Sequence, residues 1–291
     1  ITFVGNDDPK GDRDRVSVLI PVDSIDDDRR DTDLSFKIGL DWTPRDNLLA
    51  YASLTTGYRA GGYAVPFGGA ITEFDPEEMT AWEAGLKSRW LDETLQVNLA
   101  VFYYEYEDLQ VNVDDDLSPL VPITRNIGES ETAGFEGDIW WAPTEHWDFK
   151  LGFGYLDAEF KKSDRSVTTY AGPISLEGKR PVNTPEWTYS GLARYERPVT
   201  EKLNLTMMLD FQWTDERFYE VTNQRFDKAD SYYVANARIA LASTDGRWDI
   251  ALWGRNITDE EYISYLNNIG FFAINQYGEP ATYGLSLGYR Y

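Results

Sequence analysis

Segments of about ten residues in which apolar and polar side chains alternate recur along this chain, and they constrain its fold more than any other feature. In the segment 203–214, "LNLTMMLDFQWT", every second residue is apolar, namely Leu203, Leu205, Met207, Leu209, Phe211 and Trp213. A period of two residues predicts a β-strand. The length exceeds the five or six residues typical of globular strands and matches the 9–11 residues with which a tilted strand crosses a bilayer.

The same pattern predicts eleven strands, connected alternately by short turns and long segments. The predicted strands are 33–42, 48–60, 79–90, 95–110, 132–142, 148–160, 186–196, 203–218, 232–242, 248–258 and 281–291. Short turns at one end and long loops at the other are typical of a transmembrane antiparallel β-barrel. A β-sandwich, a solenoid or a propeller is the alternative, but strand length and loop asymmetry argue against each of these.

The two faces of the predicted strands differ in chemistry. Charged residues such as Glu83, Lys87 and Arg89 alternate with apolar neighbours. Because a lipid-facing Lys or Arg at the bilayer midplane costs about 2–4 kcal/mol, we expect these charges to line a wet interior. Aromatic residues fall near the strand ends, where interfacial girdles form; they are Trp82, Trp90, Trp141, Trp187, Trp213, Trp248, Tyr155, Tyr195, Tyr289 and Tyr291.

Composition excludes several classes of function. The net charge of −23 would repel nucleic acid, whose binding depends on neutralising phosphates with Lys and Arg. The chain has no cysteine and a single histidine, His146, in a predicted short turn. Thiolate chemistry and His-rich metal sites are therefore excluded, and no catalytic motif is recognisable. We predict no enzymatic activity, no cofactor and no metal site.

The number of strands is informative because bacterial barrels have an even number. One possibility is that residues 15–22 form a twelfth strand and close a small barrel. The other is that the chain is the C-terminal piece of a larger barrel, which we prefer because Pro21 and the neighbouring aspartates make 15–22 a poor strand. We therefore predict that residues 1–30 are an extracellular loop or strand remnant and that 31–291 belong to a barrel.

Several motifs resemble those of TonB-dependent outer-membrane receptors. "YASLTTGYRAGGY" carries a Gly-aromatic-Arg step at 57–59, and "FDPEEMTAWEAGLKSRW" carries Pro-Glu at 76–77 and the aromatic-Glu-x-Gly-x-Lys pattern at 82–87. "NIGESETAGFEGDIWWAP", "LWGRNITDEEYISY" and the terminal "PATYGLSLGYRY" match further family motifs. The resemblance covers about residues 31–291, and the order and spacing of these motifs make it specific.

The resemblance implies a bacterial outer-membrane protein with a barrel of 22 strands, of which this chain would be the C-terminal half. It also implies partners: outer-membrane lipid, the remaining strands, a plug domain inside the barrel, and the TonB complex acting through that plug. The expected function is energised uptake of a small molecule such as a metal chelate, most often a ferric siderophore. A stand-alone barrel of about twelve strands, acting as a passive channel or an enzyme, and a soluble β-rich binding module are the alternative hypotheses.

Three groups of residues are candidates for function. The predicted substrate-binding residues of the lumen or loops are Arg59, Tyr63, Phe67, Glu83, Tyr170, Phe271, Phe272 and Tyr277. The predicted plug-facing charges are Lys87, Glu136, Asp210, Arg238 and Arg255. Simple solvation and cross-strand pairing are the alternative role for each charge. The predicted assembly signal is the alternating, aromatic-ended C-terminus, with Tyr283, Leu285, Leu287, Tyr289 and Tyr291 facing lipid.

Overall fold

Eleven antiparallel strands form one large sheet in the computed structural model of the chain, as the sequence predicts. The structure describes residues 2–4, 15–17, 29–64, 71–115, 118–163, 166–169, 172–269 and 272–291. The sheet strands are β1 (Lys37–Arg45), β2 (Leu48–Arg59), β3 (Glu77–Trp90), β4 (Leu95–Glu107), β5 (Gly128–Thr144), β6 (Trp147–Ser163), β7 (Trp187–Thr200), β8 (Leu203–Thr214), β9 (Tyr232–Ser243), β10 (Trp248–Arg255) and β11 (Thr282–Tyr289). Each strand pairs with the one before it in the chain, so the topology is an up-and-down meander.

Some strand ends differ from the predicted ones because single residues leave the extended conformation. Asp108, with φ of 50°, ends β4 before residue 110, and Asn256, with φ of 45°, ends β10 before residue 258. The predicted strand 203–218 stops at Thr214, and Arg217 and Phe218 pair elsewhere. The apolar–polar alternation of the sequence continues through such positions, because it contains no information about a positive φ.

The outward face of the sheet is apolar, which confirms the predicted orientation of the strands. Exposed apolar side chains on this face include Leu40, Trp82, Val101, Leu209, Leu252 and Leu285. Rings of neighbouring strands touch one another there, for example Tyr155 and Trp187, whose centroids are 4.7 Å apart. Within the described part of the chain, no helix is long and apolar enough to span a membrane.

The strand register reveals the tilt of the sheet. One outward row runs through directly paired residues from Trp42, near the short turn after β1, to Tyr233, near the long-loop end of β9. From the first strand of the row to the last, the position along the strand shifts by about eight residues, or about 27 Å, toward the long-loop end. Over the same interval the row crosses eight strand spacings of about 4.8 Å each. The resulting tilt of roughly 35° lies within the range of transmembrane barrels.

Both edges of the sheet are free among the described residues: β1 forms one edge and β11 the other. Since every neighbouring pair is antiparallel and the strands number eleven, β1 and β11 run in the same direction. Direct pairing of these two edges would therefore be parallel. Closing the sheet with antiparallel pairs requires an odd number of further strands.

The long connections are not irregular loops, because each contains a short two-stranded ribbon. In chain order the five ribbons pair Gly62–Ala64 with Thr72–Phe74, Gln110–Asp115 with Ser118–Asn126, Ser166–Thr169 with Gly172–Ser175, Arg217–Phe218 with Lys228–Ala229, and Ile263–Ile269 with Phe272–Tyr277. Upstream of the sheet, Arg15–Ser17 pairs with Thr2–Val4 and not with β1.

The main hydrophobic cluster lies among these ribbons and not inside the sheet. Its buried members come from the first four long connections and the adjacent strand ends, and they are Ala64, Val113, Ile123, Ile127, Phe160, Val167, Leu176 and Val221. The concave face of the sheet is polar, as the sequence predicts. The first four long connections therefore pack together above the long-loop end of the strands.

Candidate functional site

The concave face of the sheet encloses an open cavity of about 1120 Å³. Strands β1 to β8 contribute its lining, mostly through inward-facing residues. Polar members of this lining include Asn47, Tyr51, Lys87, Ser88, Arg89, Gln96, Asn98, Glu136, Asp138, Thr188, Ser190 and Gln212. A surface with both charge signs and many hydroxyl and amide groups suits a hydrated or protein-filled interior and not a packed apolar core.

Four residues on β2 and β3 form a clamp on this inner wall. The Tyr51 hydroxyl donates a hydrogen bond of 2.7 Å to Oε1 of Glu83. Lys87 Nζ lies 5.7 Å from the centre of the Tyr51 ring, within reach of a cation–π contact. The ring crosses directly over Gly85, its registered partner in the ladder. The aromatic-Glu-x-Gly-x-Lys motif thus supplies two charged side chains that contact Tyr51 and a glycine whose missing side chain leaves room for the ring.

The neighbouring wall carries an amide–carboxylate pair. Asn98 of β4 donates from Nδ2 to Oδ2 of Asp138 on β5, at 3.0 Å. Asn98 is also the registered partner of Lys87, and Glu136 lies on the same inward face as Asp138. The clamp and this pair therefore form one continuous polar patch across β2 to β5.

Aromatic rings cover glycines repeatedly across the sheet. Six glycines face an aromatic residue directly in register, and a methyl group built on each glycine would lie between 2.2 and 2.8 Å from the ring. The pairs are Tyr51 with Gly85, Phe102 with Gly134, Phe153 with Gly137, Phe211 with Gly191, Trp253 with Gly284, and Tyr283 with Gly254. Covering a strand glycine with a cross-strand ring restores the packing that a missing side chain forfeits.

The long-loop end of the wall is fastened by two side-chain amides, one buried and one half-buried. Gln110, only 7% exposed, donates from Nε2 to the carbonyls of Ala60 and Asp75, each at 3.0 Å. Asn126 donates from Nδ2 to the carbonyls of Asp75 and Asp108 at 2.9 and 2.6 Å. These bonds tie the ends of β2, β3, β4 and β5 together, so the rim of the cavity is braced by side chains.

Asn256 fastens the other side of the rim. This residue is 3% exposed, and its Nδ2 donates to the carbonyls of Glu260 and Glu279 at 2.8 and 3.0 Å. Its Oδ1 accepts from Glu260 N and the Thr258 hydroxyl, each at 3.0 Å. The "RNITDEEY" motif is therefore a loop-anchoring device that joins β10 to the segment before β11.

The structure places the predicted charged residues on the inward face but does not gather them into one site. Glu83, Lys87 and Glu136 belong to the polar patch of β2 to β5. Asp210 instead accepts from Asn236 at 2.7 Å, and Arg255 stacks over Trp253 at 5.5 Å, on β8 to β10. Arg238 lies on β9 opposite Met208 and Trp253.

The remaining predicted residues lie at the rim and on the last strand. Arg59 ends β2, Tyr63 belongs to the first ribbon, and Phe272 and Tyr277 belong to the fifth ribbon. Phe67, Tyr170 and Phe271 lie outside the described residues. On β11 the exposed outward side chains are Tyr283, Leu285, Leu287 and Tyr289, while Tyr291 follows the end of the strand.

Sequence reasoning did not single out Asn98, Gln110 or Arg217 as residues of interest. The first two are ordinary amides whose importance comes from long-range contacts, and no local pattern marks them. Arg217 has a signal in principle, because it follows a strand end and precedes two aromatic residues in "DERFYE". That this residue is only 8% exposed can be seen only in the structure.

Comparison with known proteins agrees with the fold and the motifs. A family described as "TonB dependent receptor-like, beta-barrel" matches residues 6–257. The probable TonB-dependent siderophore receptor PiuA of Acinetobacter baumannii is 24% identical over 241 residues, which cover 79% of this chain and 31% of that protein. The metal-pseudopaline receptor CntO of Pseudomonas aeruginosa is 30% identical over 159 residues, covering 53% of this chain and 21% of CntO.

Solved structures show the same architecture. The ferric yersiniabactin uptake receptor FyuA from Yersinia pestis superposes with a TM-score of 0.71 at 18% identity, covering 86% of this chain and 36% of that one. The PiuA crystal structure from Acinetobacter baumannii gives 0.68 at 22% identity, covering 88% and 36%. The chain thus spans about a third of the length of these relatives.

The fold and the matched family together define the class: an outer-membrane β-barrel of the receptor type. This chain belongs to the TonB-dependent receptor β-barrel family. It is therefore a bacterial outer-membrane protein whose eleven strands form part of a barrel, with the apolar face toward lipid. Its relatives are receptors and not enzymes.

Proposed function

We propose that this chain is the C-terminal part of a 22-stranded receptor barrel that imports a metal chelate, most simply a ferric siderophore, with energy from the TonB complex. The relatives PiuA and FyuA are named for siderophore and ferric yersiniabactin uptake, which supports the substrate class. In this proposal residues 31–291 are barrel, and the segment before residue 31 leads toward the remaining strands.

The observation that carries the proposal is the polar concave wall of the sheet. A cavity of about 1120 Å³ with inward-facing Lys87, Glu136 and Asp138 leaves room for a hydrated, polar element inside the barrel. A plug domain that contacts this polar patch from within is such an element. The braced rim of Gln110, Asn126 and Asn256 would hold the surrounding ribbons in place as a substrate enters.

The strand count is compatible with a larger barrel, and the pairing of Arg15–Ser17 with Thr2–Val4 instead of β1 argues against a stand-alone barrel of twelve strands. Eleven strands with parallel-running edges need an odd number of partners, and eleven more strands would close an antiparallel barrel of 22. Because an unpaired edge is intolerable in lipid, β1 and β11 would both pair with those strands. On this basis the outward residues of β11, together with Tyr291, would serve as the signal read during membrane assembly.

Uptake of radioactive iron tests the proposal directly. A strain lacking the gene should fail to accumulate ⁵⁵Fe from at least one ferric chelate in a panel of catecholates, hydroxamates and carboxylates. The same loss should appear when TonB is removed, and the restored gene should reverse only the first defect. Uptake that depends on this gene but persists without TonB would favour a passive channel, and unchanged uptake of every chelate would refute the substrate class.

A further inference from the structure

Arg217 is a buried cation with an unused hydrogen-bond donor at the long-loop end of the sheet. Its side chain is 8% exposed. Nη2 donates to the Tyr219 hydroxyl at 2.7 Å and to the carbonyl of Ile263 at 3.2 Å. Nη1 is buried and has no acceptor among the described residues. A buried donor without an acceptor carries a desolvation penalty, which is larger when the group is charged, so an acceptor is expected.

The positive charge of Arg217 is also without a carboxylate partner in the described ranges. The adjacent Glu216 is engaged by Lys228, whose Nζ lies 2.6 Å from its Oε2. Arg217 is instead enclosed by two aromatic rings, with its Cζ 5.2 Å from the centre of Tyr219 and 5.4 Å from that of Tyr232. Such cation–π contacts offset only part of the desolvation of a buried charge.

The guanidinium lies on the inner side of the rim. Tyr232, which it contacts, is the registered partner of Thr214 and belongs to the inward-facing series of β9 that continues with Asn236. Tyr262 stacks on Tyr232 with a centroid separation of 4.3 Å and nearly parallel planes. Arg217 is thus surrounded by tyrosines at the mouth of the concave wall, where an entering molecule would pass.

We propose that Arg217 is an oxyanion-binding residue at the mouth, where Nη1 donates to a carboxylate-like oxygen of the entering chelate. This inference rests on the proposed function and deepens it, because it assigns an anionic group to the substrate. The flanking rings favour a planar group that carries the oxygen. With a net charge of −23, the chain would repel an anion at long range. A desolvated cation held in place at short range would offset that repulsion.

Benzoate and benzamide form a matched pair of probes, since they share a planar ring and differ in charge. Binding to the purified full-length protein in detergent is measured by isothermal titration at constant ionic strength. We expect saturable benzoate binding to the wild type, at least tenfold weaker binding to Arg217→Gln, and no binding of benzamide. Arg247→Gln removes the same charge from an exposed turn at the opposite end of the sheet and should bind benzoate like the wild type.

The folding of each variant is checked by heat-modifiable gel mobility, and Arg217→Lys preserves the charge if the glutamine variant does not fold. The lysine variant should retain benzoate binding weakened by less than the glutamine variant. Absence of benzoate binding to the wild type, or full affinity in Arg217→Gln, would overturn the inference. A wild type that ignores benzoate while Arg217→Gln unfolds more easily would indicate that an acidic side chain of the receptor itself fills the site. Because titration needs no TonB, its outcome is independent of the uptake experiment.

Discussion

Replacing Gly85 with alanine should destabilise the barrel by displacing the Tyr51 ring. A methyl group at Gly85 would lie 2.5 Å from ring carbons Cε1 and Cζ of Tyr51 and 2.6 Å from its hydroxyl, so the ring cannot stay where it is. The displaced tyrosine would lose the hydrogen bond to Glu83 and the contact with Lys87.

The expected magnitude follows from these losses. A hydrogen bond to a charged group contributes about 1.5–3 kcal/mol, and the half-exposed cation–π contact adds about 0.5 kcal/mol. Replacing glycine with alanine in a strand returns about 0.5–1 kcal/mol through reduced chain entropy. The net loss in the free energy of unfolding should therefore be about 1–3 kcal/mol.

Urea denaturation of the full-length protein in lipid, followed by tryptophan fluorescence, measures this change. Gly39→Ala is the matched control, because a methyl group at Gly39 in β1 would meet nothing closer than 3.8 Å. The control should be neutral or slightly stabilising. In a double-mutant cycle, Gly85→Ala should be nearly harmless once Tyr51 has been replaced by alanine. Equal stability of the Gly85 and Gly39 variants, or additivity in the cycle, would refute the clamp.

Three further variants test the rim and the short turns. Asn256→Ala, which removes four hydrogen bonds, should cost about 1–3 kcal/mol and speed protease cleavage between residues 257 and 281. Gln110→Ala should accelerate amide hydrogen exchange at the ends of β2 to β4 while leaving the short-turn end unchanged. Hydrogen bonds from the Ser243 hydroxyl and the Arg247 amide lower the pKa of Asp245. Because a lowered carboxyl pKa stabilises the fold above the ordinary value of 3.8, Asp245→Asn should lower the urea midpoint at pH 7, and the difference should vanish as pH falls through the lowered pKa.

Alternation of side chains was sufficient to predict the sheet because lipid and lumen impose opposite chemistry on the two faces of every strand. All eleven strands, their up-and-down order and the short turns were predicted in this way. The ribbons in the long connections were not, since their pairing depends on contacts between segments such as Val113 and Ile123 with Phe160 and Val167. Strand ends at Asp108 and Asn256 depend on backbone conformations that period two does not encode.

The sequence predicted which residues of the candidate site face inward, but not which of them contact one another. Inward positions such as Lys87 and Glu136 follow directly from the strand period. That Tyr51 bridges Glu83 and Lys87 over Gly85 depends on the register between β2 and β3, which is set by the whole sheet. The importance of Arg217 depends on what surrounds it after burial, and a sequence contains no direct record of that environment.

The hydrophobic cluster among the ribbons has a consequence for recognition at the membrane surface. Side chains such as Phe160 and Leu176, which are almost fully buried, hold the four contributing connections together before any ligand arrives. A ligand that meets a rim ordered in advance loses less affinity to the freezing of loops than one that must gather flexible segments. The cluster also separates two roles within the same connections, because buried positions preserve the scaffold while exposed positions can vary without disturbing it. A rim built in this way could acquire a new specificity by a few substitutions at exposed positions, without refolding the barrel beneath it.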